Sequence, residues 1–168
     1  PDGSPGFLFV RLAYAPEAER IFAEEKEARR VLVDAQVTLE GQVVAVSHSV
    51  IDMGAPELIF DGDAFTLMRG LEANPFILEL TFPEPRSFSQ VQADFGLADI
   101  TLTALLYPGG EELPLRYSTR RSNADNHDPL MTLSLPNTLP VTRIRFEILN
   151  RTAGEVANIH IRELTLIP

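Results

Sequence analysis

From Val31 onward, apolar residues fall at every second position in short runs separated by glycine, proline and polar clusters. That period predicts β-strands with one buried face. Residues 31–39 and 43–50 are rich in β-branched side chains and flank Glu40-Gly41-Gln42, which predicts a hairpin. A dense run from Phe76 to Phe82 is closed by Pro83 and Pro85. Residues 87–95 alternate, with a change of register near Ser89-Gln90, and 100–107 and 113–117 flank the turn residues Pro108-Gly109-Gly110-Glu111-Glu112. Residues 130–135, 141–149 and 158–167 complete the series. In 141–149, Ile144, Phe146 and Ile148 share one parity and Arg143, Arg145 and Glu147 the other, the mark of a half-buried antiparallel strand.

Before Val31 the period changes. Ala18, Ile21, Phe22, Ala28 and Leu32 recur near 3.6 residues, Glu17 and Glu19 suit a helix N-terminus, and Arg29-Arg30 suit its C-terminal end. Pro16 is pre-set for the first turn. Residues 1–30 are therefore expected to be a linker and helix, and 31–168 one domain. About eight to ten strands without alternating helices point to an all-β, antiparallel jelly-roll β-sandwich carrying one N-terminal helix.

Composition narrows the function. Acids outnumber bases 24 to 14, for a net charge of -10, and the bases form no stripe, which argues against nucleic acid as a partner. The absence of cysteine removes disulfides, thiolate nucleophiles and zinc–thiolate sites. No apolar stretch is long enough to span a membrane. Opening at Pro1 without a leader, the chain reads as a piece of a longer protein.

Two stretches carry candidate chemistry. Leu58-Ile59-Phe60-Asp61-Gly62-Asp63-Ala64-Phe65-Thr66 sets two carboxylates and a hydroxyl around a glycine. It reads either as a plain Asp-Gly turn or as a loop offering oxygens to a hard cation. At the other end of the chain, the apolar parity in 159–166 flips from Ile159 and Ile161 to Leu164 and Leu166, implying an irregularity at Arg162-Glu163. Such a break holds the Glu163 carboxylate close to the strand.

The 58–66 element, Asn74-Pro75-Phe76-Ile77-Leu78-Glu79-Leu80, Pro85-Arg86-Ser87 and the Ile161-Arg162-Glu163-Leu164 ending resemble galactose-binding-like domains, the discoidin or coagulation-factor type C group and related bacterial carbohydrate-binding modules. Met68 stands where that family usually has a Trp. The resemblance implies a jelly-roll sandwich with a structural Ca2+ held by Leu58, Asp61, Asp63, Thr66, Arg162 and Glu163. It also implies glycan binding at loop tips, through aromatics, Arg and His.

The polar stretch 118–129 offers Arg120, Arg121, Asn126 and His127 as ligand contacts, with Arg69 and Asn74 as further candidates. This stretch is no EF-hand, since Asp128 stands where that loop requires glycine. No nucleophile elbow, zincin motif or phosphate-cradling loop is present in the sequence. The expectation is a non-catalytic carbohydrate-binding accessory module of a larger extracytoplasmic or membrane-attached protein, such as a glycosyltransferase or glycoside hydrolase. Its partners would be a glycan or the parent's own domains. The alternative is the same sandwich as a structural or protein-interaction domain with no sugar site.

Overall fold

The computed structural model describes residues 5–109, 113–122, 128–136 and 139–168. The chain divides into two units, Pro1–Val31 and Leu32–Pro168. The first is a single helix, α1 (Pro5–Ala28), with Pro16 in its interior. The expected start at Pro16 is thus corrected: Pro5 occupies the first turn, and the helix continues past Pro16 at the loss of one backbone hydrogen bond. Ion pairs three and four residues apart line its second half, with Arg20 joining Glu17 at 2.6 Å and Arg29 joining Glu25 at 3.2 Å. Each adds a few tenths of a kcal/mol to an exposed helix.

Every described strand pair of the second unit is antiparallel. One sheet has six strands in the order β1 (Leu32–Leu39), β2 (Gln42–Ser49), β5 (Phe76–Arg86), β10 (Val141–Asn150), β7 (Ile100–Pro108) and β8 (Leu115–Arg121). A second sheet orders β12 (Glu163–Ile167), β6 (Gln90–Asp94) and β9 (Leu130–Ser134). A third joins the short β11 (His160–Ile161), β4 (Met68–Gly70) and β3 (Ile51–Met53). Inward side chains of all three, including Leu78, Leu80, Phe146, Val91, Leu133, Met68 and Ile161, form one buried cluster. Met68 is fully buried, an apolar plug of the core.

Local chemistry explains most of the joints. The β1–β2 hairpin turns on Glu40 and Gly41, both at positive φ, the pair of conformations that matches strand twist in a two-residue turn. The prolines do not end β5 as expected. Pairing with β2 ends at Thr81, and the facing stretch of β10 is bulged between Val141 and Arg143, so Pro83 and Pro85 deprive no ladder of a donor. β8 also extends further than expected, through Ser118 to Arg121, because each of those residues pairs with β7.

The parity flip near the C-terminus is an exchange of partners. β11 pairs with β4, then Arg162 donates its N–H to the Asp94 carbonyl at 2.8 Å, and β12 pairs with β6. The chain passes from the third sheet to the second across that single residue. This step carries Glu163 to the 58–66 loop.

Candidate functional site

That loop begins with a 3₁₀ turn, Pro56–Ile59, which buries Pro56 and Ile59 and directs the following residues outward. Gly62 holds a φ of 77°, a backbone conformation that suits glycine. The Thr66 hydroxyl lies at the middle of an oxygen cluster. It is 3.1 Å from the Leu58 carbonyl, 2.8 Å from the Asp63 carbonyl, and 3.2 and 3.0 Å from the two carboxylate oxygens of Asp61. Glu163 closes the arrangement by accepting the Gly62 N–H at 3.1 Å, across 101 positions of sequence.

The cluster holds more acceptors than donors. Thr66 has one hydroxyl proton for four oxygens. Burial raises the Glu163 carboxyl above the usual carboxylate range, and the Asp61 and Asp63 charges push it the same way, against the Gly62 and Leu164 N–H groups. A cleft of about 150 Å³, lined by Leu39, Phe60, Arg86, Phe88 and Leu166 among others, backs Glu163. Among the described residues no group of three or more His, Cys, Asp or Glu side chains is gathered as a metal site. The donors here are instead two carbonyls, a hydroxyl and carboxylates, a set that fits a hard oxygen-seeking cation such as calcium. Arg162 occupies the one-residue gap beside Glu163.

The candidate glycan contacts are dispersed. Arg120 is exposed on β8, while Asn126 and His127 lie outside the described residues. Arg121 is 5% exposed, and its guanidinium donates to the carbonyls of Gly96, Ala98, Asp128 and Pro129. Those bonds tie two loops together; Arg121 is corrected from a loop residue to a buried strap at the end of β8. Asn74 is likewise occupied: its amide donates to the carbonyls of Asn150 and Gly154 at 2.9 and 2.7 Å, and its oxygen accepts the Asn150 N–H at 2.8 Å.

Arg69 differs, because it sits outward on β4. Its Nε and terminal nitrogen donate to the two oxygens of Asp52 at 2.8 and 2.7 Å, a bidentate fork. That fork holds the Asp52 carboxyl below its usual range, with a smaller contribution from His160. Strand register places His160 beside Arg69 on one side and Met53, 48% exposed, on the other. Sequence reading missed Asp52 and His160 as its neighbours, since only the third sheet brings 52, 69 and 160 together. It also missed Phe65, whose ring is 97% exposed on the oxygen-rich loop.

No protein-family model matches the chain, and no curated protein matches its sequence. Solved structures do. The family 32 carbohydrate-binding module of AlyQ, in complex with 4,5-unsaturated mannuronic acid, superposes with a TM-score of 0.57 at 18% identity, over 79% of this chain and 98% of that one. An F5/8 type C domain from Bacteroides fragilis gives 0.58 at 15% identity, over 78% and 95%. A Ruminococcus gnavus GH29 fucosidase in complex with fucose gives 0.59 at 11% identity, over 74% of this chain and 25% of the enzyme. The chain therefore has the galactose-binding-like β-sandwich fold of F5/8 type C domains and family 32 modules.

Proposed function

We propose that the chain is a non-catalytic carbohydrate-binding module, an accessory domain of a larger extracytoplasmic or membrane-attached protein that acts on glycans. The observation that carries this reading is the outward Asp52–Arg69 fork with His160 beside it. Neighbouring sugar hydroxyls each donate and accept. An ionised carboxylate and a fixed guanidinium, side by side, meet both demands, and the imidazole adds a third polar contact. Phe65 offers an exposed ring face for a sugar's C–H surface. The folds of the similar binding modules, and of a domain spanning a quarter of a fucosidase, support an accessory role.

Calcium belongs to the same reading, with Leu58, Asp61, Asp63, Thr66, Arg162 and Glu163 as its ligands. Bound there, it would supply the positive charge that the oxygen cluster lacks and pin the loop to β12; it would do no chemistry on a substrate. Arg120, Asn126 and His127 remain candidate sugar contacts, and the parent's own domains remain candidate partners.

Calorimetric titration with a panel of neutral mono- and oligosaccharides, with and without calcium, tests the proposal. Saturable binding weakened at least tenfold in Arg69→Ser and in His160→Ala is expected. Folded wild-type chain that takes up no sugar at millimolar concentration would sink it. The second reading, a structural or protein-interaction sandwich without a sugar site, is favoured by the internal commitment of Asn74 and Arg121. It predicts that negative titration.

A further inference from the structure

We propose that the outer face of the six-stranded sheet binds a polyuronate, a polysaccharide carrying repeated carboxylates, through Arg116, Arg143 and Arg145. This inference rests on the glycan-binding reading above, yet its site lies apart from the Asp52–Arg69 fork and uses none of that fork's residues. One register row crosses the whole sheet as Asp34, Ser47, Glu79, Arg145, Leu105 and Arg116. In the adjoining row Arg143 is paired with Tyr107. On β10 these arginines alternate with buried Ile144, Phe146 and Ile148, so they point away from the core.

The charge on this face runs against that of the chain. Acids outnumber bases 24 to 14 overall, whereas here, among the described residues, Arg116, Arg120, Arg143 and Arg145 face three acids, Asp34, Glu79 and Glu147. Neutralisation is partial. Glu79 serves both Arg143 and Arg145, at 3.6 and 3.9 Å, distances longer than a hydrogen bond, so neither guanidinium fork is filled. Arg116 reaches Glu147 at 3.2 Å with 64% of its side chain exposed.

The Arg143 head is also held in place. Arg143 lies over the Tyr107 ring, 3.8 Å from its centroid, and Leu105, on the outer face, is only 9% exposed between its arginine neighbours. Packing on the ring holds the Arg143 fork in place, which lowers the ordering cost of binding a carboxylate there. Arg145 and Arg116 stand two strands apart, roughly 10 Å at the usual strand spacing, and Arg143 and Arg145 two residues apart, about 7 Å. Forks about 7 and 10 Å apart on an open face suit an extended chain with repeated carboxylates. An acidic protein partner fits less well. Its interface would want apolar or aromatic anchors at the centre, where Tyr107 is already capped by Arg143 and Leu105 is covered.

The test is isothermal titration of the 168-residue chain with oligogalacturonate, fully methyl-esterified oligogalacturonate and poly-glutamate. Binding is expected for the free acid alone, weakening several-fold for each doubling of NaCl because the contacts are screened. It should fall at least tenfold in Arg143→Ser/Arg145→Ser while that variant stays folded by circular dichroism and its uptake of neutral sugar stays at the wild-type value. Arg145→Lys, which keeps the charge and loses the fork, should fall in between. Arg69→Ser should bind the acid as wild type does. No uptake of oligogalacturonate at low salt, wild-type affinity in the double variant, or equal affinity for the methyl ester would overturn the proposal. Equal affinity for poly-glutamate would overturn it in favour of an acidic protein partner. Loss in Arg69→Ser alone would move the acid to the Asp52–Arg69 site. Neutral-sugar binding that fails while the free acid still binds would refute only the earlier reading.

Discussion

Replacing Glu163 by Gln separates metal binding from ordinary loop packing. Glutamine keeps an oxygen that can accept the Gly62 N–H, so the local bond at 3.1 Å survives in kind. What is lost is a carboxylate that burial and the charges of Asp61 and Asp63 hold above its usual range. In the metal-free protein the substitution should therefore leave stability at neutral pH unchanged or raised. With calcium the sign reverses. A cation that binds only the folded state adds about 1.4 kcal/mol for every tenfold rise in its concentration beyond the dissociation constant. For a sandwich of this size that is roughly 5 °C in melting temperature per decade. Differential scanning fluorimetry from EDTA to 10 mM calcium should show that slope in wild type and not in Glu163→Gln or Asp61→Asn.

The pH dependence gives the same experiment a second reading. A raised folded-state pKa means the folded protein holds the proton more tightly than the unfolded chain does. In EDTA, the contribution of Glu163 to stability is present at low pH and is lost as pH rises through its elevated value. With saturating calcium, which requires the ionised carboxylate, stability instead falls as pH drops through that range. A melting temperature flat across calcium concentration, or pH slopes of one sign in both conditions, would refute the metal reading.

Other substitutions test the framework that positions these sites. Asn74→Ala removes the clamp on 150–154 and should cost about 1–3 kcal/mol by denaturant melts, leaving a part-buried N–H and carbonyl without their partner. Gly54→Ala places a methyl group against the Leu67 carbonyl at a φ of 77°, so an insoluble or unfolded product is expected on expression; a soluble variant within 1 kcal/mol of wild type would contradict the geometry. Phe65→Ala should leave the melting temperature unchanged, since the ring is 97% exposed, while weakening sugar uptake about five- to tenfold by calorimetry if the ring stacks on the ligand. Phe146→Ala, at the centre of β10, should cost about 3–5 kcal/mol by the same melts.

How much of this molecule its sequence discloses depends on whether a feature is written locally. The β1–β2 turn is, because Glu40-Gly41 carries the conformational demand in two adjacent residues. The exchange of sheets at Arg162 is half written: the parity flip marks where the break falls, but which strands receive each side depends on pairing with β4 and β6, far away in sequence. Arg120 and Arg121 show the limit. Adjacent and chemically identical, they were equally good candidates for a ligand, and β8 turns one outward and the other inward onto four carbonyls. A strand's period of two makes such a split inevitable for any adjacent pair, but the parity is fixed by register with β7, which no property of arginine encodes. The same holds for Asn74, whose amide serves a loop about 76 positions away. The Asp61–Glu163 corner escapes this limit. The carboxylate-rich loop and the strand broken at a Glu each mark themselves locally, and the Gly62–Glu163 hydrogen bond joins the two across 101 positions.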